Sequence, residues 1–75
     1  MRLARLVEYL PDCPRPFAID PRLVLRVTAY STGYADVIVD REAVSERGCI
    51  VCVGNYEDIV REIDLALRGE EGTTP

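Results

Sequence analysis

The sequence predicts a small α+β domain in which an antiparallel sheet of three or four strands packs on a C-terminal helix. Three observations carry that expectation. Two alternating apolar runs flank Ser31-Thr32-Gly33, giving a central hairpin over 23–39. The run 49–53, Cys49-Ile50-Val51-Cys52-Val53, is apolar on both faces, as a central strand is. The chain from about 56 to 68 then changes to a helical period.

The N-terminal segment is ambiguous. Leu3, Leu6, Val7 and Leu10 fit the i, i+3, i+4, i+7 spacing of a short helix stopped by Pro11. The same residues also fit an edge strand, with Leu6, Glu8 and Leu10 alternating against Val7 and Tyr9. Periodicity favours the helix for residues 2–10, and a fourth strand is the alternative. Prolines 11, 14, 16 and 21 make the next stretch read as an extended connector, with Phe17 and Ile19 pinning it to the core.

In the hairpin, a three-residue loop ending in glycine suits a type I turn followed by a left-handed glycine. That turn pairs Tyr30 with Tyr34. One face then carries Ala29/Ala35, Val27/Val37 and Leu25/Val39. The other carries Tyr30/Tyr34, Thr28/Asp36, Arg26/Ile38 and Val24/Asp40. Residues 40–48 read as a short helical turn capped by Asp40 and stopped by Gly48, or as a polar loop.

Asn55 is a favoured helix cap, and Glu57 and Asp58 fall in the first turn, where the helix dipole favours acids. Ile59, Val60, Ile63, Ala66 and Leu67 form one apolar stripe, and Gly69 marks the stop. The expected core is Leu25, Val27, Ala29, Val37, Val39, Val51, Val53, Ile59, Ile63 and Leu67. Residues 1–69 form one domain on this reading, and 70–75 a flexible acidic tail.

Composition narrows function by exclusion. Seventy-five residues that are 48% hydrophobic and 29% charged suit one compact domain. So short a chain buries a smaller share of its surface than a larger protein, and a partner subunit would add stability. The basic residues are nine arginines scattered among thirteen acids, for a net charge of −4. No basic stripe forms, which argues against nucleic-acid binding. No apolar run reaches membrane-spanning length, and no signal-like segment opens the chain. The three cysteines, an odd number, suit a reducing cytoplasm.

An enzyme is not expected. The chain has no histidine, the commonest general base and metal ligand. Ser31 and Ser45 have no base beside them, and carboxylates such as Asp36, Asp40, Glu57 and Asp58 read as solvated charges. Cys49-Ile50-Val51-Cys52 has the spacing of half a zinc site, with Cys13 the only other thiol. Cys13, Cys49 and Cys52 are weak metal candidates, because a strand sends side chains three apart to opposite faces. The motif also precedes the helix cap by three residues, so it lacks a redox motif's position at a helix N-terminus. Gly54-Asn55-Tyr56 could present an anion-binding helix start, but Glu57 and Asp58 would repel the anion. No cofactor or metal is expected.

The outer face of the hairpin is the most suggestive surface. Arg26, Tyr30, Tyr34, Asp36 and Ile38 lie there, and tyrosine and arginine are frequent at binding hot spots. A sheet apolar on both sides needs a second layer, from the N-terminal segment, another subunit or another protein. The expectation is a non-enzymatic protein-binding module, an inhibitor or regulator of another protein, with a homodimer possible.

Two likenesses bear on this. The β-β-β-α order with Gly33-Tyr34, Gly48-Cys49, Gly54 and then Glu57 to Leu67 resembles the HicB-type antitoxins over about half the chain. That resemblance implies a small sheet and helix that neutralise a toxin partner. It departs at Arg41 to Arg47, where the family's proline- and glycine-containing stretch is absent, and at Gly54-Asn55-Tyr56, which replaces Gly-Asp-Thr. In size and acidity the chain is also similar to the small inhibitors of phages and mobile elements, including anti-CRISPR proteins, a likeness of type and not of motif. A self-assembling structural protein is the remaining alternative.

Overall fold

The computed structural model describes residues 1–41 and 47–70. A five-stranded antiparallel sheet packs against one C-terminal helix. The strands are β1 (Ala4–Glu8), β2 (Arg15–Ile19), β3 (Val24–Ser31), β4 (Tyr34–Val39) and β5 (Cys49–Val53), and the helix is α1 (Tyr56–Arg68). A short 3-10 turn, Pro21–Leu23, joins β2 to β3. The strand order is β2-β1-β5-β4-β3, so β5 is central, as its apolar character requires.

The N-terminal segment is a strand and not the helix its periodicity favours. Ala4 and Leu6 are buried under α1, while Leu3 and Tyr9 remain exposed. Pairing decides the matter, because β1 lies between β2 and β5 in the sheet. The proline-rich connector is corrected too, since its middle forms β2, paired from Ala4↔Ile19 to Glu8↔Arg15. Its one proline, Pro16, is tolerated because β2 is an edge strand. Ile19 is buried and Phe17 packs against the core, as expected.

The hairpin keeps its expected register in the middle, with Arg26↔Ile38, Val27↔Val37, Thr28↔Asp36 and Ala29↔Ala35. At both ends it slips. Val24 faces Val39 and Ser31 faces Tyr34, leaving Leu25 and Tyr30 as extra residues at two bulges. The expected pairs Leu25/Val39, Val24/Asp40 and Tyr30/Tyr34 are therefore absent. A bulge adds one residue to one strand and hands the partner position to its neighbour. Val24 accordingly packs on the core while Leu25 is 68% exposed. Gly33 turns the chain at φ 83°, the left-handed conformation the loop chemistry predicts.

The core is Ala4, Leu6, Ile19, Ala35, Val37, Val39, Cys52, Ile59, Ile63 and Ala66, with Val27 packed against it. Of the expected core, Leu25, Ala29, Val53 and Leu67 are exposed and Val51 is half-buried. Ala29 lies on the edge strand, Val51 and Val53 point to the face away from α1, and Leu67 lies at the margin of the helix stripe.

Asn55 sits at the helix cap position, but its side chain makes no capping bond. The first turn closes by the Ile59 N–H to the Asn55 carbonyl at 3.0 Å. Gly69 stops the helix in the left-handed conformation, φ 78°, donating to Ala66. Arg2 fastens the chain start to this helix. Its guanidinium grips Glu62 at 2.7 and 3.1 Å, and its backbone N–H donates to the Ala66 carbonyl at 2.9 Å. The expected turn or loop at 40–48 falls largely on residues 42–46, outside the described residues. The acidic tail from 71 onward lies outside them too.

Candidate protein-binding face

Strand alternation sorts the sheet into two faces. Ala35, Val37 and Val39 of β4 and Cys52 of β5 are buried beneath α1. The residues between them, Tyr34, Asp36, Ile38, Cys49, Val51 and Val53, point to the opposite face, which no described helix covers. Register places these side chains in rows. Arg26, Ile38 and Cys49 share one row, because Arg26 pairs with Ile38 and Ile38 with Cys49. Thr28, Asp36 and Val51 share the next. Tyr9 extends that second row, its backbone N–H donating to the Val51 carbonyl at 2.8 Å. Tyr34 and Val53 form a third.

Four of the five expected contact residues therefore lie together, Arg26, Tyr34, Asp36 and Ile38. Tyr30 does not face Tyr34 but sits at the bulge closing β3, 63% exposed. The partner of Tyr34 is Tyr9, whose ring meets it edge-on at 4.8 Å between centroids and 63° between planes. Hairpin reasoning alone misses Tyr9. The signal was the strand alternation that sets Val7 and Tyr9 on one side of β1.

The electrostatics of this face centre on Asp36. Its Oδ1 is buried without a hydrogen-bond partner. The row neighbours on either side, Thr28 and Val51, leave that oxygen without a donor. Burying an unpaired carboxylate oxygen is costly, because water is removed and nothing replaces it. Arg26, one row away on the adjoining strand, forms no ion pair with it.

The cysteines separate as a strand demands. Cys52 is buried under α1, and burial, with Glu8 and Asp36 adding negative charge, pushes its thiol up to about 12. Such a thiol is a small hydrophobe and not a nucleophile. Cys49 belongs to the open face and Cys13 is exposed on the β1–β2 connection. The three thiols do not converge, and no group of three Cys, Asp or Glu side chains among the described residues is placed to hold a metal ion. No described helix is long and apolar enough to cross a membrane.

Comparison with protein-family models, with curated proteins and with solved structures yields no match. What can be said of function therefore rests on the open face itself.

Proposed function

We propose that this chain is a non-enzymatic protein-binding module and that the open face of its sheet is the contact surface. One observation carries the reading: the sheet has a helix on one face, while the other presents Tyr9, Tyr34, Ile38 and Val51 around a carboxylate oxygen that lacks a partner. Aromatic and branched apolar side chains around a central polar group are the composition of an interface core. On this reading the module acts by contact, blocking or bridging, as an inhibitor or regulator of the protein it covers.

The test is affinity capture with three baits from the native cell extract, namely the wild type, Val51→Arg and Val60→Arg. Val51 lies on the open face, and Val60 lies on α1 beside Val27 and Ile63, at the other side of the sheet. The expected result is one bound protein retained by wild type and Val60→Arg and lost by Val51→Arg. A partner that Val51→Arg still holds overturns the assignment of this face. The identity of the captured protein separates an inhibitor from an antitoxin, and recovery of the chain alone points to self-assembly.

A further inference from the structure

We propose that the outer edge of β3 takes up an extended segment of another protein as a sixth strand, with an apolar side chain across from Val27 and an acidic one across from Arg26. This is a second contact, separate from the open face, and neither reading depends on the other.

The ladder fixes which backbone groups the edge presents. β3 ends the sheet, with β4 its only strand neighbour among the described residues. The Val39 N–H donates to the Gly48 carbonyl, so Val39 turns its backbone towards β5, as do Val37 and Ala35 at alternate positions. Asp36 and Ile38 turn theirs towards β3, where they face Thr28 and Arg26. The N–H and C=O groups of Val27 and Ala29 are thereby directed outwards, where no strand lies. Residues 26–29 form regular strand between the two bulges. The other edge is closed to such pairing. The Tyr9 N–H to Val51 bond sets the same alternation in β1, and register then turns the nitrogen of Pro16, which carries no hydrogen, to the outer side of β2.

An outward amide calls for an extended backbone, and the groove beside it calls for an apolar side chain. Residues opposed across a ladder share a face, so the residue across from Val27 points towards α1 as Val27 does. There Val27, Val60, Ile63 and Leu67 line an apolar groove, with Val60 and Leu67 still partly exposed at its rim. Asp64 also lines it, and its carboxylate is paired with Arg68 at 2.8 Å. In strand addition of this kind, main-chain bonds give affinity and alternate side chains give specificity.

Charge selects the neighbouring residue. Arg26 points to the opposite face and has no ion pair among the described residues. Its backbone is committed to β4, so an added strand meets it at a non-hydrogen-bonded position, with Cβ atoms about 4.5–5.5 Å apart. An aspartate or glutamate there completes a cross-strand ion pair. In a strand that continues the antiparallel sheet, the acid directly follows the apolar residue.

Amide hydrogen exchange of the full chain, read by nitrogen–proton correlation spectra, tests this with a synthetic peptide. The probe is acetyl-Thr-Val-Thr-Leu-Glu-Thr-amide, in which Leu falls across from Val27 and Glu across from Arg26. In the free protein the Val27 and Ala29 amides should exchange about tenfold or more faster than those of Arg26 and Thr28. The peptide should slow the Val27 and Ala29 amides. Ala29→Pro removes one outward N–H without touching the β4 ladder and should abolish binding. Arg26→Glu should weaken the peptide by about three- to tenfold and prefer the same peptide with Lys in place of Glu. Val27 and Ala29 amides that millimolar peptide leaves unchanged overturn the proposal, as does binding that neither variant weakens. Should Ala29→Pro fail to fold, Arg26→Glu decides, and an unreversed preference counts against the proposal. Amides slowed only by concentrating the protein itself would place a second copy on the edge and overturn it too. Capture with Val51→Arg reads the open face and this titration reads the edge, so either reading can fail while the other stands.

Discussion

The two faces of the sheet solve the same problem with different residues. Under α1 the strands offer Ala4, Ala35, Cys52 and valines, and the helix lays Ala66 among them, so small side chains let the layers approach closely. On the open face stand Tyr9, Tyr34, Ile38 and Val51, larger than a solvated face needs, and Asp36 there keeps a carboxylate oxygen without a donor. The covered face is a finished core. The open face has the apolar content of a core and lacks its second layer, which is why the contact surface is sought there.

The sharpest way to break this contrast is to place the same charge on neighbouring residues of β4. Val37→Asp buries an unpaired carboxylate under α1, with an expected cost above about 5 kcal/mol, comparable to the whole stability of a small domain. Far-UV circular dichroism of Val37→Asp should show an unfolded chain. Ile38→Asp, one residue along and facing outward, should keep the fold and lose association. An unfolded Ile38→Asp would show that the face is covered within the chain itself.

A smaller contrast lies along α1. Ile63→Ala is expected to cost about 2–5 kcal/mol by opening a cavity in the core. Val60→Ala, 38% exposed at the edge of the same stripe, should cost under about 1 kcal/mol. Urea midpoints measure both, and equal effects would mean that the groove beside Val27 is covered by something else.

The Arg2–Glu62 clamp sets the next scale. Glu62→Gln removes a charge-assisted pair that also accepts the Arg5 N–H at 2.8 Å, an expected loss of about 1–3 kcal/mol. The hydrogen bond from Arg2 holds the Glu62 carboxyl below its ordinary 4.5. A depressed carboxyl pKa means that the clamp contributes fully above pH 4.5 and is lost as pH falls through the lower folded value. Cys52 has the opposite sense. Its raised thiol pKa stabilises the fold fully below pH 9.0, and that contribution falls away as pH rises towards 12. Wild-type stability should thus show an acid limb that Glu62→Gln flattens and an alkaline limb that Cys52→Ala removes, with neither in the neutral range.

Thiol labelling has the smallest effect and divides the faces directly. Under native conditions Cys13 should react first, the half-buried Cys49 more slowly, and Cys52 only on unfolding. Mass spectrometry of alkylated peptides gives the order. Early labelling of Cys52 would contradict the covered face.

Much of this architecture was legible in the residues because its signals are local. Gly33 between alternating strands gives the hairpin, and Ile59, Ile63 and Ala66 with a following Gly69 give the helix at its observed bounds. β1 and β2 were not legible in the same way. Five residues such as Ala4–Glu8 satisfy both periods, and pairing with β2 and with β5, far along the chain, chooses the strand. The bulges at Leu25 and Tyr30 hid for a related reason. Each shifts register by one residue without changing the apolar pattern, so a core position and its neighbour exchange places. Most of the open face could be read from hairpin alternation, but Tyr9 and the stranded Asp36 oxygen depend on which strand lies beside β4. That is a tertiary fact.

The most direct test of the central claim is affinity capture with the wild type beside Ile38→Asp, each with its circular dichroism recorded. The expected result is one protein bound by the wild type and lost by a folded Ile38→Asp. A folded Ile38→Asp that holds the same protein as the wild type would show that the open face is not a contact surface.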